Sequence, residues 1–270
     1  MKHMIYANVI ADSITAAGER LTTMEVQMHR FVLAEFNTHR MFSRNSASSR
    51  AIPIEKQIAK IAKNPAFPLE WGSNKSGMQA GEPLNNKDAK KAKKVWKKAC
   101  KRAIKDCRRL EDLGVHKQIA NRILEPYMWH TVIVSSTDWD NFFEQRCSPL
   151  AQPEIRFAAL AMRNAYQNSV PFLLMPGEFH LPYLQPGEQN LPEYTKAQIC
   201  IARCARVSYL THDNQHSIEK DVILFDRLVS AEPPHWSPME HIATPLSEDL
   251  DASGNFSGYA QVRHNLHLVF

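Results

Sequence analysis

Apolar residues recur with helical spacing over most of this chain. Ile54, Ile58 and Ile61 share one face of a predicted helix, with Pro53 near its start and Pro65 beyond its end. The same periodicity predicts four further helices, over residues 87–110, 148–167, 195–210 and 217–230. These helices require a layered core, so the chain cannot be an all-β protein.

Period-two alternation is confined to a short segment. Met24, Val26 and Met28 fall on one face of a predicted strand, and the apolar run WHTVIVSS (129–136) is a buried strand or the start of a helix. Residues 64–86 are predicted to form a loop, and the five prolines of 170–192 predict a linker or surface excursion. Helices outnumber strands, which favours an α+β or mixed α/β fold.

Composition places the chain among ordinary globular proteins. It has 270 residues, 44% of them hydrophobic, and no apolar run long enough to span a membrane. The N-terminus lacks the pattern of a secretory signal, and the five scattered cysteines suggest reduced thiols. We therefore expect a cytoplasmic protein.

The basic charge is concentrated in one predicted helix. Residues 87–109 carry 12 Lys/Arg and 2 Asp, a net charge of +10, whereas the rest of the chain has a net charge of −5. A solvated helix face is the favoured interpretation, and nucleic-acid binding is the alternative.

A polar stretch between two apolar elements is the first candidate for a binding site. HRMFSRNSASSR (39–50) contains one His, three Arg, four Ser, one Asn and no acid. Guanidinium forks and hydroxyls together suit phosphate oxygens. A solvated loop or a phosphorylation segment is the alternative.

Other polar residues have competing interpretations. Arg122, Arg146 and Arg156 stand among apolar residues, where an arginine needs an acceptor, either Glu144 or Glu154, or a ligand oxygen. Ser237 in HWSPMEH is placed to cap a helix or to receive a pyrophosphate.

A zinc site is not favoured. Cys200, Cys204, His212 and His216 have zinc-finger-like spacing, but the loop is short and both cysteines lie on an apolar helix face. The sequence also lacks the phosphate-binding P-loop, dinucleotide-binding, zinc-protease and serine-hydrolase motifs.

Several segments together resemble the flavin-dependent thymidylate synthases. THRMFSRNSASSR is similar to that family's R-H-R-x-x-S-x-N-E-x-S-x-R motif, with matches at His39, Arg40, Ser43, Asn45, Ser48 and Arg50. NRILEP resembles A-R-x-x-L-P and aligns Arg122. NFFEQRCSPLAQPEIR resembles N-x-x-x-F-L-x-x-R…A-Q-x-E-I-R and aligns Asn141, Arg146 and Gln152. CARVSY and WSPMEH resemble A-A-R-V-S-Y and S-P-F-E-H.

The order of these segments differs from the family's, in which the last two motifs come first. The resemblance therefore implies a circularly permuted chain, which is physically admissible where the original termini lie close together. We expect one domain over 1–270 with a central mixed or antiparallel sheet flanked by helices. The basic helix 87–110 would be an insertion and the Pro-rich stretch 170–192 the join.

The resemblance implies a specific reaction, the reductive C5 methylation of dUMP to dTMP. FAD would be the cofactor, methylenetetrahydrofolate the carbon donor and NADPH the electron donor. The family uses no cysteine nucleophile, so Cys147 would have no such role. An arginine polarises the pyrimidine instead, and by resemblance that residue is Arg146.

The resemblance also implies the other site residues. Ser48, Arg50 and Arg122, with Arg146, would bind the pyrimidine nucleotide. The FAD contacts would be Thr38, His39, Arg40, Ser46, Asn141, Ser208, Ser237 and Glu240. No metal and no membrane are implied. The family forms homotetramers with sites shared between subunits, so we expect the same here, in the cytoplasm of a bacterial cell and with a phage as one source.

Three departures from the family pattern leave the substrate open. Thr38 replaces an Arg, Ser46 replaces a Glu, and Glu35 stands where Gln is usual. A carboxylate near a phosphate is unfavourable. The alternatives are a related C5 modification of another pyrimidine nucleotide, such as dCMP or a hydroxymethylation, and a non-enzymatic nucleic-acid-binding homologue.

Overall fold

The computed structural model describes residues 5–207 and 217–270. Its centre is a five-stranded mixed sheet, ordered β3-β4-β2-β1-β5, in which only the β1–β5 pairing is parallel. A separate two-stranded sheet pairs β6 with β7. The strands are β1 (Tyr6–Ile14), β2 (Arg20–His29), β3 (Ser43–Ser46), β4 (Trp129–Ser136), β5 (Phe172–Leu173), β6 (Ala243–Pro245) and β7 (Tyr259–Gln261).

Eight α-helices surround the sheet in the described part of the chain, and the predicted α/β class is confirmed. All five predicted helices are present, with ends shifted by a few residues. The helices are α1 (Leu33–Phe36), α2 (Ile54–Lys63), α3 (Asn86–Asp112), α4 (Lys117–Ala120), α5 (Asp140–Arg146), α6 (Pro153–Gln167), α7 (Glu193–Arg206) and α8 (Ile218–Val229). None of the described helices is long and apolar enough to cross a membrane.

The central strand is buried on both faces. Met24, Val26 and Met28, the predicted apolar face of β2, are fully buried with side chains of α5 and α6. The C-terminal part of the chain covers the opposite face of the sheet, where α7 and α8 form a second apolar cluster. Burial on both sides explains why β4 reads as a continuous apolar run.

The basic helix is joined to the core by one narrow face. Cys100 and Cys107 are buried against α2 and the 3₁₀ helix Asn121–Tyr127, while the lysines face solvent. Gly114, with φ +79°, follows the end of this helix in a conformation that favours glycine.

Two sequence-based expectations for irregular segments were wrong. Ser43–Ser46, expected within a loop, forms the edge strand β3, which pairs with β4 through Asn45 opposite Ile133. The stretch 170–192, expected at the surface, contributes β5 to the sheet and the buried side chain of His180 to the core. In β3 the residues that face inward, Ser43 and Asn45, are polar, so no apolar alternation marks the strand. The stretch 170–192 does place apolar side chains such as Phe179 and Leu184 against the core, but at no regular spacing.

A buried hydrogen-bonded chain of five side chains crosses the face of the sheet that the C-terminal part of the chain covers. It runs from Ser13 through His180, Thr23 and Ser135 to His241, with separations of 2.6 to 2.8 Å between the bonded atoms. Burial lowers the pKa of His180 and of His241 to about 3, so both imidazoles are neutral. These bonds fasten both the Pro-rich stretch and the C-terminal segment to the sheet.

A buried ion-pair cluster joins α7 to α8 and to the segment before α7. Arg203 of α7 is 1% exposed and donates to Glu188 and Asp221, and Arg206 also donates to Asp221. Arg206 is the arginine of CARVSY, so that arginine joins α7 to α8 in this fold. Removing one member of such a cluster would leave uncompensated buried charge.

The neutral buried histidines predict acid sensitivity. The unfolded chain binds protons near pH 6.5 that folded His180 and His241 bind only near pH 3, so the free energy of unfolding decreases as pH falls below 6.5. Each histidine contributes a slope of up to about 1.4 kcal/mol per pH unit.

A His180→Gln variant isolates the contribution of one histidine to this pH dependence. The gap between the stabilities of the native protein and the variant should narrow steadily between pH 6.5 and pH 4.5 in urea titrations. His235→Gln, at an exposed histidine, is the control and should not change the slope. A gap that stays constant over this range would contradict the assignment.

Candidate functional site

Buried aromatic rings hold the start of the Arg/Ser stretch in place. Phe42 is 2% exposed and contacts Phe36, Trp139 and Phe142. The ring of His39 stacks on that of Phe42, with 5.8 Å between the ring centroids. The polar residues on either side of Phe42 are therefore fixed to the end of α5.

Arg146, at the end of α5, reaches directly into this stretch. Its Nε donates to His39 Nε2 (2.9 Å), and its Nη2 donates to Thr38 Oγ1 (3.1 Å) and to the Glu35 carbonyl (3.3 Å). Nη1 has no bond to any residue that the structure describes. A salt bridge to Glu144 or Glu154, one of the two alternatives for this arginine, is not among its described contacts.

His39 is a neutral acceptor in this arrangement. Partial burial, together with the positive charges of Arg146 and Arg44, lowers its pKa to about 4. Because Nε2 accepts from Arg146, the ring proton lies on Nδ1. His39 therefore orients the guanidinium without adding charge to the site.

A cavity of about 290 Å³ adjoins this cluster and brings four predicted FAD contacts together. Its polar lining includes Thr38, His39, Arg40 and Asn141, together with Asp138. Asn141 and Arg40 are exposed at its mouth. Guanidinium, imidazole, amide and hydroxyl groups converge here, as anion binding requires.

The strand β3 separates its polar side chains onto two faces. Ser43 and Asn45 are buried and bind the C-terminal half: Asn45 donates to the Cys204 carbonyl (2.8 Å) and Ser43 accepts from Gln261 (3.0 Å). Arg44 and Ser46 are only partly buried. Two residues of the motif therefore hold the fold together, and Ser46 alone of the predicted contacts lies on this strand.

The WSPMEH segment forms a 3₁₀ helix, Ser237–His241, that packs against β3. The predicted cap was wrong: Ser237 is the first helical residue, and no side chain caps the helix. Glu240 forms an ion pair with Arg263. Burial lowers the pKa of Arg44, and the negative charge of Glu240 opposes that shift. Ser208 lies outside the residues that the structure describes.

A second polar cluster lies where β3 leads into the turn at Ser48–Arg50. The side chain of Asn121 donates to the carbonyls of Ser49 (2.8 Å) and Ile52 (3.0 Å), which fixes the turn beside the NRILEP segment. Ser48 accepts from the Arg50 amide, and the Arg50 side chain is exposed.

Glu125 is at the centre of this second cluster. Its Oε1 accepts from Arg122 (2.7 Å), Arg30 (3.3 Å) and Ser49 (3.3 Å). Arg30 also contacts the buried ring of His130, whose pKa is lowered to about 3 by burial and by the charge of Arg30. Of the predicted contacts, Arg122 bonds to this carboxylate, whereas Ser48 and Arg50 lie on either side of Ser49 in the turn and make no described bond to it.

A cavity of about 490 Å³ runs along the helical segment that joins the two clusters. Arg30, Arg122 and Glu125 line one part of it, and Asn37 lies next to Thr38 of the first cluster. No described hydrogen bond or ion pair joins Arg146 to Ser48, Arg50 or Arg122.

Two other predicted positions, Arg156 and Gln152, have structural partners, and Cys147 is a free thiol. Arg156 forms an ion pair with Glu70 rather than with Glu144 or Glu154, and Gln152 donates to Glu154. Cys147 is half-buried, and desolvation raises the pKa of its thiol. A raised pKa makes the thiol a poor nucleophile at neutral pH.

The zinc hypothesis has no structural support in the described residues. Cys200 and Cys204 are fully buried in the apolar cluster of α7, and burial raises the pKa of both thiols. His212 and His216 lie outside the described residues. Among those described, no three His, Cys, Asp or Glu side chains are grouped to hold a metal ion.

Sequence reasoning missed Asn121, Glu125 and Arg30. The first two flank Arg122 in NRILEP, where a polar pair around an arginine is a local signal. Arg30 gave no such signal, because its partner is 95 positions away in the chain.

Comparison with known proteins identifies the family. The model of the "Thymidylate synthase complementing protein" family matches residues 19–172, more than half of the chain. This protein belongs to that family. The match contains both polar clusters and ends before CARVSY and WSPMEH, so the permuted order stays a prediction.

Similarity to individual known proteins is weaker than the match to the family. The structure of this protein is similar to a UMP/dUMP methylase, PolB from Streptomyces cacaoi, bound with 5-Br dUMP. The two chains are 16% identical, the likeness covers 60% of this chain and 89% of that chain, and the TM-score is 0.47. No curated protein matches the sequence.

The contact between Arg146 and His39 predicts a measurable coupling. Replacing Arg146 with Gln removes one of the charges that disfavour the imidazolium, so the pKa of His39 should rise above its native value of about 4. It should stay below 6.5, because desolvation is the larger cause. Histidine NMR titration measures this directly. Arg102→Gln, at an exposed arginine of the basic helix, is the control. An unchanged His39 titration in Arg146→Gln would contradict the geometry.

Proposed function

We propose that this protein is a flavin-dependent thymidylate synthase that methylates C5 of dUMP to give dTMP. Methylenetetrahydrofolate would supply the carbon and NADPH the electrons. The observation that carries the proposal is the family match over 19–172, within which Arg146 is oriented by His39 and Thr38.

Arg146 is the proposed catalytic residue. Uracil C5 is a weak nucleophile, and a positive charge next to a ring carbonyl oxygen favours the enolate-like form that attacks through C5. Nη1 has no bond to a described residue and is available for that oxygen. His39 and Thr38 hold the guanidinium plane, so the charge is oriented before substrate binds.

The raised pKa of Cys147 supports a route without an enzyme thiolate. Conventional thymidylate synthases add a cysteine to the pyrimidine ring, which requires an ionised thiol. We therefore assign no nucleophilic role to Cys147.

The residues around the 290 Å³ cavity fit the anionic part of FAD. His39, Arg40 and Asn141 offer hydrogen bonds to a pyrophosphate, with Thr38 beside them. Ser46, Ser208, Ser237 and Glu240 are the further proposed contacts. Reduced FAD, when bound, supplies the hydride of the reaction. The cavity is small for a whole dinucleotide, which is consistent with a site completed by another subunit of the proposed homotetramer.

The second cluster is the proposed phosphate cradle. Ser48 and Arg50 lie in one turn, which Asn121 fastens beside Arg122. Because no described bond joins this cluster to Arg146, the nucleotide would either lie along the 490 Å³ cavity or contact clusters of two subunits.

The chain architecture is also part of the proposal. Ser43 and Asn45 of β3 bind the segment that carries the two C-terminal motifs, as expected if a permuted chain restores the family's contacts. We propose a single domain over 1–270, with 87–110 as an insertion and 170–192 as the join.

One observation favours a second substrate, a cytosine nucleotide such as dCMP. Glu35 contacts Arg146 through its carbonyl, and its Oε2 is buried without a hydrogen-bond partner in the described structure. A carboxylate oxygen accepts well from the exocyclic amino group of cytosine. Glu35 would then favour dCMP or a related C5 modification over dUMP.

A turnover assay separates these alternatives. The FAD-supplied protein, with methylenetetrahydrofolate and NADPH, should convert dUMP to dTMP, and Arg146→Gln should lower the rate about 100-fold or more. Arg102→Gln, at an exposed arginine of the basic helix, is the matched control and should stay near the native rate. Turnover of dCMP alone would favour the second substrate. No product from either nucleotide would contradict the proposed enzyme and favour a nucleic-acid-binding homologue.

A further inference from the structure

Glu125 occupies a position that a phosphate group would be expected to take. Its Oε1 accepts from two guanidiniums, those of Arg122 and Arg30, and from the hydroxyl of Ser49. These donor types are the ones that bind phosphate oxygens. The carboxylate therefore acts as an internal anion in the proposed cradle.

The sequence around Glu125 makes this placement informative. NRILEP aligns with A-R-x-x-L-P, and Glu125 stands at the leucine of that pattern. A leucine in this place would leave Arg30 and Arg122 without an acidic partner. The substitution changes the charge of the cluster and keeps its two arginines.

The ion pair between Glu125 and Arg122 is more exposed to solvent than the buried ion pairs of the C-terminal half. The side chains of Glu125 and Arg122 are 25% and 47% exposed, whereas those of Arg203 and Asp221 are 1% and 2% exposed. An exposed ion pair contributes little to stability and exchanges partners readily. A ligand phosphate can therefore compete for Arg122, but it must do so against a carboxylate that is already in place.

We propose that Glu125 is a specificity-determining residue that lowers the preference of this site for phosphorylated over unphosphorylated pyrimidine ligands. A phosphate dianion has to displace the carboxylate from Arg30, Arg122 and Ser49, and it then remains close to a like charge. A nucleoside, which carries no phosphate, does not have to displace it. The inference rests on the proposed function in one respect, the assignment of this cluster to the nucleotide phosphate.

The test compares the affinities of dUMP and deoxyuridine, measured by isothermal titration calorimetry. Glu125→Gln keeps the size and the carbonyl acceptor and removes the charge. It should strengthen dUMP binding about tenfold and change deoxyuridine binding less than about twofold. Glu125→Asp, which keeps the charge, should retain the native ratio of the two affinities. Glu55→Gln, which breaks the exposed pair with Arg108, is the control.

The outcomes separate this inference from the proposed function. An increase in the dUMP-to-deoxyuridine affinity ratio in Glu125→Gln alone supports the inference. An unchanged or reduced ratio, with dUMP still bound, overturns it and makes Glu125 a residue that positions the arginines. Absence of dUMP binding in every variant would overturn both the inference and the assignment of the cradle. Thermal unfolding of each variant shows that the comparison is made between folded proteins.

Discussion

The antiparallel pairing of β3 with β4 is the constraint on which both polar clusters depend. Four residues in extended conformation place His39 and Arg40 before the strand and Ser48 and Arg50 after it. Asn45 and Ser43 fix the buried face of this strand to the C-terminal half, and Phe42 anchors its start in an aromatic cluster. A shift of register by one residue would exchange the two faces and separate the arginines from their partners.

The three arginines that matter most differ in what they contact. Arg203 is buried and fully paired, so it serves stability. Arg146 is oriented by a neutral imidazole, a hydroxyl and a carbonyl, none of which neutralises its charge. Arg122 is paired with the carboxylate of Glu125, and both side chains are partly exposed. The partner, more than the arginine itself, decides whether positive charge is available to a substrate.

The sequence predicted the five longest helices, because each buries one apolar face whose spacing is visible locally. The short helices α1, α4 and α5 span at most two turns and give no such repeat. It also predicted β2, whose apolar face alternates. It missed β1 and β3 because polar residues are spread along both strands. Ser43 and Asn45 satisfy their hydrogen bonds in residues more than 150 positions away, which no local pattern reports.

The same reason limits the prediction of the site. Thr38, His39, Arg40, Asn141 and Arg146 were found from a resemblance, and the structure brings them into one cluster. The role of Glu125 follows only from its contacts with Arg30 and Ser49, which lie far away in the chain. His180 likewise lies in a Pro-rich stretch whose composition suggested a surface segment, although its ring completes a buried hydrogen-bonded chain.

The central claim is that the segment from Thr38 to Arg50 forms part of a flavin and pyrimidine-nucleotide site. The visible absorption spectrum of the purified protein, recorded as isolated and again after addition of FAD and desalting, tests it most directly. A retained flavin band that changes on addition of dUMP is the predicted result. The absence of a flavin band in both samples would contradict the claim.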